Sequence, residues 1–322
     1  MHQIELPSGG EPSHILFDQN TALFSFPLSA TDQQADVVYF DRPGEVHVNL
    51  ALGRLCPVGC QECSATLLSR GLVKSLRGNL SPAAIHAKVR SIVANLAPTL
   101  AQRKVVISTM NDGDPLSRSP QDLIAVVQSI LRGCQDAGLP LDRLNLSSSL
   151  IPTRFQTIIH LADHYADAFG THLVQWQGSL LATHVKRNVF AGDQSALRTM
   201  IEALGTYRES MRTATGRGET WINYVAVKRG DFGRADGADR LDTVAKVADM
   251  LLHIHPAVRL KITRGMVATL DGWQQLSDDE YAAFVHAVQE RWGVQLSIYC
   301  PDLAEPLADS YHCGRIQALT MK

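Results

Sequence analysis

Three cysteines stand close together just after an apolar, strand-like run. Cys56, Cys60 and Cys63 form the pattern CxxxCxxC within the segment LCPVGCQECS. Soft thiolate ligands suit iron, and a loop this short can bring three of them onto one iron–sulfur cluster. Three thiolates on a four-iron, four-sulfur (4Fe-4S) cluster leave one iron open to an external ligand, which can receive an electron there. The spacing therefore predicts a metal site ligated by these three cysteines.

A zinc site, or a group of free thiols, is the alternative interpretation of the same triplet. Structural zinc usually takes four ligands, commonly from two CxxC-like pairs. No second pair follows, and the other cysteines, Cys134, Cys300 and Cys313, form no even framework. The cluster is the favoured interpretation, and zinc remains the alternative.

A second chemical position is the turn Gly113-Asp114-Pro115, which follows the apolar run KVVIST. A turn at the end of a strand can present a backbone edge and a carboxylate to a cationic ligand. An ordinary polar turn is the alternative, because Asn, Asp, Gly and Pro are all typical of turns. The turn is thus a candidate binding element, and the cysteine loop that precedes it in the sequence favours this interpretation.

Hydroxyl, amide and cationic side chains end several other strand-like runs. If the strands are parallel, their carboxyl ends share one rim, where the active sites of barrels lie. These rim residues are candidates for contacts to a bound ligand. They are Ser147, Ser148 and Ser149, then Gln175, Gln177 and Ser179, and finally Lys261, Thr263 and Arg264.

The elements that must position these residues alternate regularly along the chain. Strands are predicted over 46–52, 104–109, 144–149, 172–177, 221–227, 258–263 and 294–300. Helices are expected to begin at Ser81-Pro82 and Ser119-Pro120, which have the form of an N-cap followed by proline, and to cover 153–166, 193–212, 239–253 and 278–291. This βαβα order predicts parallel strands with helices outside. We therefore expect an α/β fold, a partial (β/α)6 TIM-like barrel over 46–322, after a short β-rich extension over 1–45.

Composition narrows the classes of function. The 322 residues are 45% hydrophobic and 19% charged, as in an ordinary globular protein. A net charge of −2 gives no general attraction to nucleic acid or to an anionic membrane. Residues 1–18 lack the basic start and long apolar run of a signal peptide, and no apolar stretch is long enough to span a bilayer. A reducing cytoplasm is the expected location, because it suits an oxygen-sensitive cluster.

The cysteine loop resembles the signature of the radical S-adenosylmethionine (SAM) superfamily. In that superfamily the open iron chelates SAM, and a Gly-Glu-Pro stretch contacts the methionine amino group. Gly113-Asp114-Pro115 is similar, with an acid one methylene shorter. The resemblance implies a radical SAM barrel with a 4Fe-4S cluster and SAM as cofactors, and a reductant such as flavodoxin or ferredoxin. It places Ser147, Ser148, Ser149, Ser179 and Lys261 near SAM.

Most of the chain, from about residue 46 to 317, also looks like the radical SAM adenosine-C2 methyltransferases of ribosomal and transfer RNA. In that family a cysteine near the C-terminus carries a methyl group, and Cys313, in Cys-Gly-Arg-Ile, matches it. A second cysteine, seven residues before the first cluster cysteine, resolves the protein–RNA adduct, and Asn49 stands at that position. Glu62 replaces a typical aromatic residue, and only about 45 residues precede the barrel where the family has an RNA-binding domain.

Three functional hypotheses follow. The first is a radical SAM enzyme whose deoxyadenosyl radical abstracts hydrogen from a small-molecule or peptide substrate, with Cys313 as a catalytic residue. The second is a radical SAM transferase that uses Cys313 as the methyl carrier, on RNA or on a small molecule. The third is a non-catalytic iron–sulfur protein for electron transfer or sensing, which would have no use for a SAM pocket. We expect neither a nucleic-acid nor a membrane partner.

Overall fold

The computed structural model describes most of the chain between residues 3 and 300. The described residues are 3–18, 21–27, 33–39, 44–53, 56–57, 78–100, 103–110, 113–139, 141–180, 194–226, 228–229, 238–264, 273–274 and 276–300. Cys56 lies among them, whereas Cys60, Cys63, Glu62 and Cys313 lie outside them.

Within these residues, ten of the strands form one sheet, in the order β14-β12-β10-β9-β8-β7-β5-β4-β3-β2. In chain order the strands are β1 (Gln3–Ile4), β2 (His14–Asp18), β3 (Thr21–Pro27), β4 (Gln33–Tyr39), β5 (Glu45–Asn49), β6 (Asn79–Leu80), β7 (Lys104–Ser108), β8 (Leu141–Ser148), β9 (Val174–Leu180), β10 (Trp221–Ala226), β11 (Lys228–Arg229), β12 (Arg259–Arg264), β13 (Trp273–Gln274) and β14 (Ile298–Tyr299). The helices are α1 (Pro82–Leu100), α2 (Pro120–Asp136), α3 (Ile151–Asp163), α4 (Tyr165–Phe169), α5 (Ser195–Thr215), α6 (Ala238–Ile254) and α7 (Asp278–Trp292), with short 3-10 turns at Pro7–Gly10 and Pro115–Ser117.

Seven of the strands, β5, β7, β8, β9, β10, β12 and β14, run parallel to one another. A helix connects each of them to the next, which gives six βα units and a final short strand. The parallel sheet curls strongly into a half-barrel with its helices outside. The predicted α/β fold, a partial TIM-like barrel, is confirmed.

The N-terminal strands extend the same sheet. Strands β2, β3 and β4 form an antiparallel meander, and β4 pairs antiparallel with β5. Phe24 and Phe26 of β3 are fully buried in the common core. The ten-stranded sheet therefore continues across residue 45, where the sequence predicted that the N-terminal extension ends and the barrel begins.

Local signals placed the helix starts correctly. The Ser81 hydroxyl accepts the Ala84 N–H at 3.1 Å, and the Ser119 hydroxyl accepts the Asp122 N–H at 3.2 Å. Each serine thus satisfies one of the backbone donors that a helix leaves unpaired at its start, and the proline after it begins the helix.

Several strands differ from their predicted bounds, and hydrogen bonds explain the differences at β9 and β14. The Tyr165 hydroxyl accepts the Val174 N–H at 2.9 Å and donates to His172 O at 2.7 Å, so that β9 begins at Val174 rather than His172. At β14 the amides of Gln295 and Leu296 bond back to Trp292 O, at 2.9 and 2.8 Å. The chain after α7 therefore turns where a strand was predicted, and β14 keeps only two residues.

No helix among the described residues is long and apolar enough to cross a membrane.

Candidate functional site

The carboxyl ends of β5, β7 and β8 bring together three segments that the sequence marked as chemical. The segment after β5 leads to Cys56, the turn after β7 holds Gly113 and Asp114, and β8 ends in Ser147 and Ser148. Ser148 Oγ donates to Asp114 Oδ1 at 2.8 Å, and the Ser149 N–H donates to Asp114 Oδ2 at 3.2 Å. The second and third segments are therefore in direct contact.

The first segment reaches the turn through two glycines. Gly113 has φ +85°, and a Cβ there would lie 3.0 Å from Gly53 O. Gly53 has φ +137°, and a Cβ there would lie 2.5 Å from Gly78 O and 2.7 Å from Asn79 Cα. Only glycine adopts these angles readily and permits such an approach. The cysteine loop thus starts in backbone contact with the Gly113 turn, and Gly53 is a site residue that sequence reasoning missed.

Asp114 is buried and hydrogen-bonded within the chain. Besides Ser148 and Ser149, it accepts the Leu116 N–H at 2.8 Å and caps the short 3-10 turn at Pro115–Ser117. Burial raises the pKa of this carboxyl to about 6, although all three donors favour its charged form. Both carboxylate oxygens hold the turn against the end of β8, so the Asp114 side chain is engaged within the chain.

Cys56 lies on the surface at this end of the sheet, and its thiol is exposed. Among the residues that the structure describes, no group of three His, Cys, Asp or Glu side chains is placed to hold a metal. The other two predicted ligands, Cys60 and Cys63, fall outside those residues. Cysteine sulfur is a ligand that iron prefers, and the role of Cys56 as a cluster ligand stays a prediction.

The predicted rim serines divide between two faces of the sheet. The ring of Trp176 packs against Tyr207 of α5, so the even-numbered residues of β9 face the helices and the odd-numbered ones face inward. Register places Ser147 beside Gln177 and Ser148 beside Gly178. Ser147 is therefore on the inner face, whereas Ser148 points to Asp114 on the other.

A chain of hydrogen bonds crosses the inner face. Ser147 Oγ lies 3.1 Å from Ser179 Oγ and accepts from Gln177 Nε2 at 3.2 Å. Lys261 Nζ donates to Gln177 Oε1 at 3.2 Å. The structure thus brings together Ser147, Ser179 and Lys261, which the sequence predicted to be neighbours on the rim.

Next to this series of hydrogen bonds, three buried polar atoms have no hydrogen-bond partner in the described part of the protein. They are Ser108 Oγ, Asn145 Oδ1 and Gln175 Oε1. Register pairs Ser108 with Asn145 and Asn145 with Gln175, so the three side chains lie side by side on β7, β8 and β9. Buried polar atoms are usually bonded, so this row indicates a place for a polar group. Sequence reasoning missed Ser108, whose signal is a polar residue at the end of an apolar strand.

The amino ends of the strands carry a separate charged cluster. Glu45 bonds to Arg143 Nη2 and to His47 Nε2, each at 3.1 Å. Burial raises the pKa of Glu45, but Arg143 and His47 outweigh it and leave this pKa below its usual value. Arg143 also pairs with Asp142 at 2.7 Å. Residues at this end of a barrel usually serve stability rather than catalysis.

No protein-family model matches the chain, and no curated protein matches it in sequence. Solved structures resemble it in fold at low identity. The Fpglu1 structure from Fervidobacterium pennivoraus matches with a TM-score of 0.37 and 8% identity, over 65% of this chain and 65% of its own. The AHE enzyme from Alicyclobacillus herbarius matches with 0.41 and 12%, over 67% and 66%. A β-glucanase from Saccharophagus degradans matches with 0.34 and 11%, over 94% and 88%. The chain thus spans slightly under two thirds of the first two structures.

Proposed function

We propose that this chain is a radical SAM enzyme acting on a small, polar molecule or a peptide. The observation that carries the proposal is the convergence at one end of the sheet. The segment leading to Cys56 touches the Gly113 turn, and the Asp114 side chain ties that turn to Ser148 and Ser149. These are the segments that the resemblance assigns to a cluster and to SAM.

Cys56, Cys60 and Cys63 would hold the cluster, and the backbone of the Gly113 turn would contact SAM. When bound, the cluster would supply the electron that cleaves SAM to methionine and a deoxyadenosyl radical. The protein's part is to bind and orient SAM and to exclude competing reactions. Gly113 lets the turn approach the backbone of Gly53 closely, and Asp114 ties the turn to the end of β8.

The inner face supplies the substrate side of the proposal. The interior of an ordinary TIM barrel is filled with layers of Val, Ile and Leu. Here the inner face carries the Ser179–Ser147–Gln177–Lys261 chain and the row of Ser108, Asn145 and Gln175. The free oxygens of Asn145 and Gln175 are acceptors, so they favour a substrate with N–H or O–H groups. This composition supports an enzyme rather than an electron carrier, which has no use for a polar substrate face.

The proposal predicts that protein purified and reconstituted without oxygen holds one 4Fe-4S cluster and cleaves SAM to deoxyadenosine. Iron and sulfide content, paramagnetic resonance after reduction, and chromatography of the SAM products provide the measurements. The triple variant Cys56→Ala/Cys60→Ala/Cys63→Ala should lose the cluster. Cys134→Ala is the control, because Cys134 is buried in α2 and burial raises its thiol pKa to about 12. A triple variant with a normal four-iron cluster, or a wild-type protein that binds only zinc, would contradict the proposal.

Cys313 remains the proposed catalytic cysteine, as hydrogen donor or as methyl carrier. Cys313→Ala should leave cluster content and SAM cleavage nearly intact while abolishing product formation. Peptide mass mapping after incubation with SAM separates the two roles, because a methyl carrier gains a methyl-derived mass at Cys313 and a hydrogen donor does not. Full turnover by Cys313→Ala would exclude both roles.

A further inference from the structure

Four buried polar side chains surround the first residues of the cysteine loop. Gln34 and Asp36 lie on β4, Lys88 on α1 and Arg118 before α2. Their exposed fractions are 0%, 0%, 0% and 2%. Burying a charge is costly unless the charge is paired and hydrogen-bonded. The hydrogen-bond partners of these side chains therefore indicate which part of the backbone they stabilise.

An ion pair fixes the backbone of Ala51. Lys88 Nζ lies 2.8 Å from Asp36 Oδ2 and 5.3 Å from the centroid of the Phe26 ring. The Ala51 N–H donates to Asp36 Oδ1 at 2.6 Å, and Lys88 Nζ donates to Ala51 O at 2.9 Å. The two members of the pair thus hold both polar backbone atoms of one loop residue.

The next two carbonyls are held in the same way. Gly53 O accepts from Gln34 Nε2 at 3.0 Å, and Gln34 Oε1 accepts from Lys88 Nζ at 3.0 Å. Leu52 O accepts from Arg118 Nη2 at 2.8 Å, and the same nitrogen donates to Leu80 O at 2.8 Å. Three consecutive carbonyls of the segment before Cys56 therefore each accept a bond from a buried side chain.

We infer that these four side chains are positioning residues that fix the start of the cysteine loop before any ligand binds. They form a backbone clamp, which consists of Gln34, Asp36, Lys88 and Arg118 around Ala51, Leu52 and Gly53. Because Cys56 follows three residues later, the clamp sets the point from which its thiol is presented. Two of the four residues come from β4, so the N-terminal meander has a role at the site. The inference rests on the proposed function only for the identity of what the loop binds.

Amide hydrogen exchange of the metal-free protein tests the clamp directly. Gln34→Met removes the donor to Gly53 O and one acceptor of Lys88 Nζ, without adding a charge. Exchange in peptides that cover 50–53 and 79–81 should become about tenfold faster, because the bond to Gly53 O is lost, with the rest of the sheet unchanged. Thr220→Val is the matched control, because it removes another buried bond to a carbonyl, from Thr220 Oγ1 to Leu204 O at 3.2 Å. It should leave 50–53 at the wild-type rate.

A second variant tests the ion pair between Lys88 and Asp36. Lys88→Met alone leaves Asp36 as an uncompensated buried charge, so Lys88→Met/Asp36→Leu is used to remove both charges. This double variant should exchange more than about tenfold faster at Ala51, which loses both of its side-chain partners. Wild-type exchange over 50–53 in both Gln34→Met and the double variant would overturn the inference.

Cluster retention provides a readout at the proposed site. In reconstituted Gln34→Met, a chelator should remove iron about tenfold faster than from the wild-type protein or from Thr220→Val, since the bond from Gln34 to Gly53 O is lost. Equal rates of iron loss in all three proteins would show that the clamp does not serve the cysteines. A wild-type protein that takes up no cluster would end the proposed function, and the exchange experiment would still decide the clamp.

Discussion

At the scale of the residue, Asp114 is an acid whose environment opposes its charge. Its side chain is 7% exposed and accepts three hydrogen bonds, yet burial still raises its pKa from 3.8 to about 6. The folded protein therefore binds a proton at this carboxyl more tightly than the unfolded chain does. Its contribution to stability is fully present below pH 3.8 and is lost as the pH rises through about 6.

This linkage predicts a pH-dependent difference between the wild type and Asp114→Asn. Between pH 4 and pH 7 the wild type should lose about 2 kcal/mol relative to the variant, because about two pKa units separate the folded and unfolded carboxyl and part of the loss falls below pH 4. Urea unfolding of both proteins across this range measures the difference. The other titratable groups are the same in both proteins, so their contributions cancel in the difference between the two free energies of unfolding. A difference that stays constant with pH would show that the pKa of Asp114 is not raised.

Gly53 gives the second prediction at this scale. Gly53→Ala should lower the free energy of unfolding by about 2–4 kcal/mol, because a Cβ would strike the backbone of residues 78 and 79 and φ +137° is strained for alanine. Gly138→Ala is the control, since Gly138 has φ +71° but no atom within 4 Å of its added Cβ. It should cost only about 1–2 kcal/mol, for the backbone angle alone. Equal losses in the two variants would argue against the close contact.

At the scale of the element, the antiparallel meander belongs to the barrel's core. Strand β4 pairs with β5, and Asp36 of β4 is the ion-pair partner of Lys88 in α1. Phe24, Phe26 and Val38 add fully buried apolar surface. The parallel strands alone would leave β5 as an edge and Lys88 as a buried charge without its partner.

A chain that begins at Gly44 should therefore fail to fold. Loss of one partner of a buried ion pair alone costs about 3–5 kcal/mol, and the apolar surface of β2–β4 is lost as well. Far-ultraviolet circular dichroism and urea unfolding measure the effect. A chain that begins at Pro12 keeps the meander and should fold. A cooperative transition of the Gly44 chain at the wild-type midpoint would contradict this role of the meander.

At the scale of the whole molecule, charge and polarity are distributed unevenly. The net charge is only −2, while polar side chains gather on the inner face of the half-barrel. Asn49, seven residues before Cys56, ends β5 and is 7% exposed. This distribution supports the compact polar substrate that we propose over a polyanion.

We accordingly predict no multiple-turnover methylation of ribosomal or transfer RNA adenosine at C2. Asparagine cannot form the disulfide that releases a protein–RNA adduct, and the charge balance gives no electrostatic attraction to RNA. Mass spectrometry of nucleosides, after incubation of the reconstituted protein with RNA, SAM and a reductant, provides the measurement. Asn49→Cys is the matched variant, because it restores the family's second cysteine. More than one methyl group per wild-type chain would overturn the prediction.

The sequence by itself determined the order of elements and the end of the sheet at which the candidate site lies. Serine followed by proline marks a helix start through local bonds, and apolar runs mark buried strands through their own burial. Once the strands are parallel, their carboxyl ends must share one edge. This rule was enough to predict that Gly113, Asp114, Ser147 and Ser149 lie near one another and near the cysteine loop.

Only the tertiary structure decided which partner each side chain takes. Strand register and alternation placed Ser147 on the inner face and Ser148 against Asp114, a choice that a run of three serines leaves open. The ion pair between Asp36 and Lys88 joins residues that are distant in sequence, and neither segment by itself identifies the other residue as its partner. Local periodicity carries no information about such pairs, because their energy depends on burial and register that exist only when the whole sheet has formed.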